Sequence, residues 1–207
     1  MIKKEFDTII FDLGGVLVDW KPEYVYRKVF NYNEEKVQWF LNTICTPQWN
    51  MEQDAGRTIE EAVKLKVTEF PEYEKWIKLY YNHWHHMFSG AIKENVEIFK
   101  KLKISGNYKI YALTNWSAEK WDMALNLFPF FNDFDGVVVS GKEKTRKPYL
   151  KIYNIILNRY QINPKKALFI DDNLDNIKAA EKLNITGIHL ENPTQLSNKL
   201  NKFSLNF

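Results

Sequence analysis

Carboxylates follow two short apolar runs that lie far apart in the chain. Asp12 comes directly after the apolar residues 9–11, and Asp171 and Asp172 come directly after the apolar residues 167–170. Both runs have the composition of a buried strand, and the chemistry of open parallel sheets gathers beyond the carboxyl ends of the strands. If the two strands are neighbours, the three carboxylates converge and repel one another unless a cation neutralises them. Oxygen donors suit Mg²⁺, so the sequence predicts a magnesium site.

Such a cluster is suited to displacing a phosphate ester, a reaction that needs a nucleophile, charge neutralisation and in-line positioning. Asp12 is predicted to attack as a carboxylate and to form an aspartyl-phosphate that water then hydrolyses. Gly14 and Gly15 permit a tight turn through which backbone groups approach a ligand closely. The expected protein ligands of Mg²⁺ are all oxygen donors: Asp12, a backbone carbonyl near Gly14, and Asp172, with Asp171 bound directly or through water.

Three further polar side chains lie where a phosphate group would dock. Thr114 and Asn115 follow another strand directly and offer a hydroxyl and an amide to a phosphate oxygen. Lys147 precedes Pro148 and a helical pattern, and its positive charge would offset both the carboxylates and the phosphate. We therefore expect Lys147 to act beside the nucleophile as a catalytic residue, and Thr114, Asn115 and Lys147 to bind the substrate.

The elements that must position these residues alternate along the chain. Strand patterns cover residues 9–11, 109–113, 136–139, 167–170 and 187–190, and helical patterns cover residues 92–104, 117–128, 149–160 and 173–183. Ser117 and Asn173 are expected to be helix N-caps. Alternation at this spacing predicts an α/β fold, a Rossmann-like three-layer α/β/α arrangement around a parallel sheet.

The stretch between residues 21 and 89 breaks this alternation. It contains helical patterns and no convincing strand, and Thr58 followed by Glu61 has the pattern of a capping box. A helical insertion of this length exceeds an ordinary loop after a strand. We therefore expect an inserted α-helical cap subdomain at residues 21–89 and a core domain at residues 1–20 and 90–207.

Composition narrows the function classes. The 207 residues are 45% hydrophobic and 27% charged with a net charge of +3, which fits a globular protein and disfavours a nucleic-acid partner. The sequence shows neither a signal peptide nor a membrane-spanning run. A single cysteine, Cys45, excludes an internal disulfide framework and fits a reducing compartment. We expect a cytoplasmic monomer or homodimer that acts on a small molecule rather than at a membrane.

Four motifs occur in order along the whole chain: residues 12–17 (Asp-Leu-Gly-Gly-Val-Leu), 113–115 (Leu-Thr-Asn), 146–148 (Arg-Lys-Pro) and 169–172 (Phe-Ile-Asp-Asp). Together they resemble the motifs of the haloacid dehalogenase-like (HAD) hydrolases, and most closely those of the sugar-phosphatase-like members and of the N-terminal phosphatase domain of epoxide hydrolases. This resemblance implies an Asp12 nucleophile and phosphate contacts from Thr114, Asn115 and Lys147. It also implies that Asp12, the Gly14 carbonyl and Asp172 hold Mg²⁺.

One position departs from the pattern of that family. Most of its phosphatases carry a second aspartate two residues after the nucleophile as a general acid and base, and this chain has Gly14 there. General acid–base help is typically worth ~10²–10⁴-fold in rate. Its absence predicts slow turnover, a substitute proton donor, or a substrate with a good leaving group.

Three functions are compatible with these residues. The first is an Mg²⁺-dependent phosphatase for a small phosphorylated metabolite, with a sugar phosphate as the expected substrate. The second is a 2-haloacid dehalogenase, which uses an aspartate nucleophile without a metal and which the paired Asp171 and Asp172 disfavour. The third is a regulatory protein that binds a phospho-ligand and has lost turnover through Gly14.

Several other side chains have both a functional and a structural interpretation. We expect Cys45 and the aromatic-rich His83, His85 and His86 to pack structurally rather than to react or bind zinc. Two residues are candidates to support the metal ligands: Asp175 and Asn176. Five residues of the insertion and its entrance could reach the mouth of the active site, although packing explains each equally well: Asp19, Trp20, Tyr24, Trp49 and Arg57.

Overall fold

The computed structural model of the protein describes residues 6–203 and residue 205. The first five residues and the remaining residues at the end of the predicted core domain lie outside the described residues. The strands are β1 Thr8–Phe11, β2 Val18–Trp20, β3 Phe88–Ala91, β4 Lys109–Thr114, β5 Gly136–Val139, β6 Ala167–Asp171 and β7 Thr186–His189.

The α-helices are α1 Glu23–Val29, α2 Glu34–Thr43, α3 Pro47–Asp54, α4 Ile59–Glu69, α5 Glu74–Asn82, α6 Lys93–Ile104, α7 Trp121–Leu127, α8 Ser140–Glu143, α9 Leu150–Arg159, α10 Leu174–Glu181 and α11 Leu196–Asn201. Short 3₁₀ helices lie at Pro71–Tyr73, Trp84–Met87, Ala118–Lys120, Pro129–Asp133, Pro164–Lys166 and Pro193–Gln195. None of the helices in the described part of the chain is long and apolar enough to cross a membrane.

Five strands form one sheet in the order β5-β4-β1-β6-β7. The central strand is β1, in which Ile10 pairs in parallel with Tyr111 of β4 on one side and with Phe169 of β6 on the other. Since these three strands run in the same direction, their carboxyl ends meet at one edge of the sheet. The predicted α/β fold is confirmed, and the residues that follow the strands are brought together at that edge.

Residues of β1 alternate between two apolar layers. Ile9 and Phe11 pack in a cluster that includes Phe99 of α6, whereas Ile10 packs in a second cluster that includes Tyr153 of α9. Successive side chains of a strand point to opposite faces, so a strand covered on both faces reads as a continuous apolar run. This accounts for the uniform composition of residues 9–11 and confirms the predicted three-layer arrangement.

The residues between β2 and β3 are helical, as predicted, and their interior is aromatic. Tyr26, Phe40 and Tyr80 are almost completely buried, and the ring centroids of Tyr26 and Phe40 lie 4.7 Å apart. Thr58 accepts a hydrogen bond from the backbone N–H of Glu61 at 3.2 Å, the predicted cap contact at the start of α4. The division of the chain into a core and a cap subdomain stays a prediction.

A two-stranded ribbon at the ends of this helical segment was missed by the sequence pattern. In it β2 and β3 pair antiparallel, with Val18 opposite Ala91 and Trp20 opposite Phe88. The prediction that residues 21–89 contain no strand is therefore wrong at its end, where β3 begins. Three- and four-residue strands interrupted by polar residues and glycine carry no readable alternation of apolar residues.

Two predicted N-caps have different outcomes. Asn173 accepts a hydrogen bond from the backbone N–H of Asp175 at 2.8 Å, which confirms its role at the start of α10. Ser117 makes no side-chain cap contact, and its carbonyl accepts the N–H of Lys120 at 3.2 Å in the 3₁₀ turn that precedes α7. The predicted helix at 117–128 is therefore shorter, because this tighter turn occupies its first residues.

Candidate active site

Asp12 follows the central strand and is held there by the sheet. Its backbone N–H donates to the carbonyl of Ile170 at 2.8 Å, and its side chain is mostly buried. Its Oδ1 accepts the backbone N–H of Leu13 at 2.7 Å and lies 3.0 Å from Nζ of Lys147. No donor among the described residues reaches Oδ2. One oxygen of the carboxylate is therefore left without a protein partner.

The ammonium group of Lys147 bridges two carboxylates. The side chain is 0% exposed, and Nζ lies 3.0 Å from Oδ1 of Asp12 and 2.6 Å from Oδ2 of Asp171. Burial lowers the pKa of Lys147, but the attraction of the two carboxylates outweighs it and raises the pKa above its ordinary value. A buried cation is tolerated only when it is paired in this way. Lys147 therefore remains charged beside the predicted nucleophile.

Asn115 positions Lys147, a contact that was not predicted. Its Oδ1 accepts the backbone N–H of Lys147 at 2.8 Å, and its Nδ2 donates to the backbone carbonyl of Lys147 at 3.1 Å. Both the oxygen and the nitrogen of the amide therefore bind Lys147, and one N–H of Nδ2 is left for other partners. The predicted contact between Asn115 and phosphate stays a prediction.

The hydroxyl of Thr114 is buried and unpaired. Thr114 is the last residue of β4, is 1% exposed, and its Oγ1 has no hydrogen-bond partner among the described residues. Leaving a buried polar atom unpaired costs about 1–3 kcal/mol. An oxygen of a bound phosphate group would satisfy this hydroxyl, and the predicted contact between Thr114 and phosphate stays a prediction.

Asp171 is held by several donors in addition to Lys147. Its Oδ1 accepts the backbone N–H of Asn173 at 2.8 Å, and Nδ2 of Asn176 donates to its two oxygens at 2.9 and 3.1 Å. Asp171 therefore anchors Lys147. The role of Asp171 as a metal ligand stays a prediction. Of the two predicted supporting residues, Asn176 makes this contact, whereas the side chain of Asp175 is 77% exposed.

The carboxylate of Asp172 lies directly against Gly15. A Cβ added at Gly15 would overlap the Asp172 side chain, and the backbone of Gly15 has a φ of +71° that favours glycine. Gly14 differs, because its φ is not in the left-handed region and a Cβ there would meet no atom within 4 Å. Glycine at position 15 is therefore required by the fold, and glycine at position 14 is not.

One carboxylate cluster fits a divalent cation. Oxygens of Asp12, Asp171 and Asp172 all lie within 4.8 Å of one another, and no other group of His, Cys, Asp or Glu in the described ranges comes together in this way. Burial raises the pKa of Asp12 to about 8; Lys147 opposes this, and the two neighbouring carboxylates add to it. One lysine does not neutralise three carboxylates. The donor set therefore fits Mg²⁺, with Asp12, Asp172 and the Gly14 carbonyl as the expected ligands.

A cavity of about 80 Å³ opens beside these residues. Gly14 and Asn115 line it from the side of the sheet, and aromatic rings line it elsewhere, namely Trp20, Tyr81, Trp84 and Trp116. The indole N–H groups of Trp20 and Trp116 are buried without a hydrogen-bond partner in the described part of the chain. A ligand with oxygen acceptors beyond its phosphate group would satisfy these donors.

Polar side chains from the helical segment complete the lining of the cavity. Asn50 and Asp54 are one turn apart on α3, and both face it, together with Ser117. Asn50, Asp54 and Tyr81 were not predicted to be site residues. Their i,i+4 spacing puts Asn50 and Asp54 on one helix face, but nothing in the sequence says what that face approaches.

The other candidate residues have mainly structural contacts. Trp20 reaches the cavity, whereas Asp19 accepts hydrogen bonds from Tyr24 and Ser89 at 2.5 Å. Arg57 donates to the carbonyl of Trp49 at 2.9 Å within the helical segment.

The single thiol and the histidines lie outside the cavity lining. Burial raises the pKa of Cys45 to about 12, as expected for an unreactive thiol. The rings of His83 and His86 lie 5.7 Å apart, and they border a different pocket together with Tyr24 and Lys28.

Comparison with known proteins gives a family and several relatives. The family described as "Haloacid dehalogenase-like hydrolase" matches residues 9–189. The sesquiterpene phosphatase astK of Aspergillus oryzae is 30% identical over 89% of this chain and 90% of its own length. The phosphorylated carbohydrates phosphatase of Thermotoga maritima is 25% identical over 88% of this chain and 84% of its own length.

Solved structures share the fold. A HAD family enzyme of Bacteroides thetaiotaomicron, determined in complex with magnesium and inorganic phosphate, aligns with a TM-score of 0.66 and 24% identity. The alignment covers 89% of this chain and 93% of that one. The helical segment and the five-stranded sheet thus occur together in known proteins.

Proposed function

We propose that this chain, which belongs to the haloacid dehalogenase-like hydrolase family, is an Mg²⁺-dependent phosphatase acting on a small phosphorylated metabolite. The observation that carries the proposal is the contact of Asp12 with the fully buried Lys147, 3.0 Å apart, beside two further carboxylates. This arrangement provides a nucleophile, a fixed positive charge for the phosphoryl group and the donors for a hard cation in one place. The names of the two curated relatives support the same reaction class.

The residues have distinct roles in the proposed reaction. The free Oδ2 or the Lys147-bound Oδ1 of Asp12 attacks phosphorus, and the ester oxygen leaves with its bonding electrons. Lys147 and the unpaired hydroxyl of Thr114 bind phosphoryl oxygens and hold the group in line with Asp12. Bound Mg²⁺ would neutralise charge on the phosphoryl oxygens. Water then attacks phosphorus, which breaks the bond to Asp12 and releases inorganic phosphate.

A sugar phosphate is the proposed substrate class. Sugars combine apolar faces that stack on aromatic rings with hydroxyls that accept and donate hydrogen bonds. The cavity is lined by the rings of Trp84 and Tyr81, by the amide of Asn50, and by Trp20 and Trp116, whose buried indole N–H groups have no hydrogen-bond partner among the described residues. The name of the Thermotoga maritima relative points to the same class.

A prenyl phosphate is the second candidate. The aromatic walls of the cavity favour it, as does the name of the Aspergillus oryzae relative. An isoprenoid chain has no oxygen to accept from the indole N–H groups of Trp20 and Trp116, which would leave both donors unpaired. These two unpaired donors support the sugar phosphate as the proposed substrate class.

The test is phosphate release from a panel of sugar phosphates and prenyl phosphates, with Mg²⁺ and with EDTA. We expect release that requires Mg²⁺, is fastest with a sugar phosphate and disappears in Asp12→Asn. Asp175→Asn is the matched control, since it removes a nearby but exposed carboxylate and leaves activity unchanged. Release by Asp12→Asn at the parent rate would reject the nucleophile. Chloride release from a 2-haloacid in EDTA would favour the dehalogenase instead.

A further inference from the structure

Phosphoryl transfer from an alcohol needs a proton for the departing oxygen, and Asp12, Lys147 and Gly14 do not provide one. An alkoxide is a poor leaving group, and a positioned acid typically contributes ~10²–10⁴-fold to the rate. We propose that Asp54 of α3 is the catalytic residue that donates this proton and later recovers it, an assignment that rests on the proposed phosphatase function. The carboxyl group missing at position 14 is thus supplied from the helical segment.

The position of Asp54 meets the requirement. It is the last residue of α3, is 9% exposed, and lines the same cavity as Gly14 and Asn115. Among the described residues that line this cavity, Asp54 carries the one carboxyl group. A substrate whose phosphoryl group contacts Asp12 would extend its leaving group into this cavity.

A chain of hydrogen bonds behind Asp54 holds the carboxyl group in place. Nδ2 of Asn50 donates to Oδ2 of Asp54 at 3.4 Å, and the hydroxyl of Tyr81 donates to Oδ1 of Asn50 at 3.0 Å. Nε2 of Gln53 donates to the Tyr81 oxygen at 2.6 Å, and Nε of Arg57 donates to Oε1 of Gln53 at 2.8 Å. Buried networks of this kind are costly unless every member is satisfied. This one leads from the surface of the helical segment to the cavity.

The surroundings make Asp54 a proton donor at neutral pH. Burial raises the pKa of Asp54 to about 7, while the positive charges of Arg146 and Lys147 lower it. The other titratable groups facing it, Tyr80 and Tyr81, are phenols that burial keeps protonated. A general acid is most effective when its pKa lies near the working pH. Tyr81, whose pKa is raised well above its ordinary value, is a much weaker acid than Asp54.

The proton and electrons balance over the two steps. As Asp12 forms its bond to phosphorus, the ester P–O bond breaks, its electron pair stays on the ester oxygen, and that oxygen takes the proton of Asp54. The alcohol departs and Asp54 is left as a carboxylate. It then removes a proton from the attacking water as the new P–O bond forms and the bond to Asp12 breaks. Asp54 ends protonated, ready for the next substrate.

The experiment compares two leaving groups in the parent protein, in Asp54→Asn and in Glu52→Gln, which removes an exposed carboxylate from the same helix. The substrates are the sugar phosphate hydrolysed fastest in the panel and 4-nitrophenyl phosphate, whose phenolate departs without a proton. We expect Asp54→Asn to lower kcat/KM for the sugar phosphate by ~10²–10⁴-fold and for 4-nitrophenyl phosphate by less than about 10-fold. It should also show a burst of 4-nitrophenolate, because hydrolysis of the aspartyl-phosphate loses its base.

Two other outcomes would each overturn one of the proposals. An equal loss of kcat/KM on both substrates, or no loss on either, would overturn the role of Asp54. If the parent protein released phosphate from no compound in the panel, the phosphatase proposal itself would fail, a result distinct from the loss in one variant. Circular dichroism checks that Asp54→Asn folds.

A second measurement needs no variant. In the parent protein, kcat/KM for the sugar phosphate should fall as the pH rises through about 7 relative to kcat/KM for 4-nitrophenyl phosphate. Ionisation of Asp12 and Lys147 affects both substrates alike, and at pH 7 and above both phosphate groups are mainly dianions, so the ratio there isolates the leaving-group proton. A ratio that stays constant from pH 5 to pH 9 would contradict the proposal.

Discussion

The two sides of the cavity differ in the charges of their side chains. On the side of the sheet, Lys147 lies 3.0 Å from Asp12 and 2.6 Å from Asp171, so its positive charge is paired with two carboxyl groups. On the side of the helical segment, Asp54 is held by the neutral amide of Asn50 among aromatic rings, and its pKa of about 7 leaves it protonated over much of the neutral range. The sheet side therefore holds a permanent positive charge, and the helical side holds a carboxyl group that can carry a proton.

The difference matches the roles that we propose for the two sides. A nucleophile and its cation need permanent charges that are neutralised locally, and a buried ion cluster provides them at the cost of desolvation. A general acid must be neutral in one step and charged in the next. A strong ion pair with a cation would keep a carboxyl group in its charged form. The long contact of 3.4 Å between Asn50 and Asp54 suits a group that changes its charge.

The largest expected effect tests the paired side. Lys147→Met removes the cation between Asp12 and Asp171 and leaves two buried carboxylates uncompensated. We expect the free energy of unfolding to fall by about 3–5 kcal/mol in urea at pH 7, and activity to be lost. Lys142→Met, which removes an exposed lysine from the preceding segment, is the control. A loss of stability below about 1 kcal/mol would mean that Lys147 is not the charge that holds the cluster together.

The second effect separates backbone strain from contact with Asp172, the proposed metal ligand. Gly15→Ala forces a left-handed backbone onto alanine and drives a Cβ into the Asp172 carboxylate. We expect a loss of about 2–4 kcal/mol together with weaker Mg²⁺ activation of phosphate release. Gly106→Ala is the matched control, because Gly106 has a φ of +63° and open space around it. If both variants lost the same stability and kept the same Mg²⁺ dependence, the contact between Gly15 and Asp172 would have no role.

The same contrast explains what the sequence could predict. Asp12, Thr114 and Asp171 each end or follow a strand, and parallel pairing of adjacent strands then places them together without further information. Lys147 was predicted from its place before Pro148, although its fixation by Asn115 required the structure. The pairing of strands in the sheet fixes the position of a residue at the end of a strand.

No comparable rule predicts the positions of residues in the helical segment. The positions of Asp54 and Tyr81 at the cavity depend on how five short helices pack, which periodicity does not specify. The ribbon of β2 and β3 was missed for a related reason, since its pairing with a strand far along the chain stabilises residues that alone show no strand pattern. Where tertiary packing decides, residue types alone identify candidates such as Trp20 but not their contacts.

The third prediction uses the protonation of Asp54. Its pKa is about 7 in the folded protein and 3.8 ordinarily, so between these values the unfolded chain loses the proton that the folded protein keeps. Stability therefore falls as the pH rises from 4 to 7, and the cost is complete above 7. An asparagine side chain cannot ionise, so the variant Asp54→Asn should match the parent at pH 4 and exceed it by about 1–3 kcal/mol at pH 8. Glu52→Gln should show no such gain, and equal curves for Asp54→Asn and the parent would place Asp54 in a solvated setting.

The smallest effect tests the network behind Asp54, the proposed proton donor. Tyr81→Phe removes the hydroxyl that accepts from Gln53 and donates to Asn50, while keeping the ring at the cavity wall. We expect a loss of about 1 kcal/mol in the free energy of unfolding, against none for the exposed Tyr32→Phe. If the network orients Asp54, kcat/KM should also fall a few-fold for the sugar phosphate and not for 4-nitrophenyl phosphate. A loss of stability with an unchanged ratio between the two substrates would show that the network supports the helical segment alone.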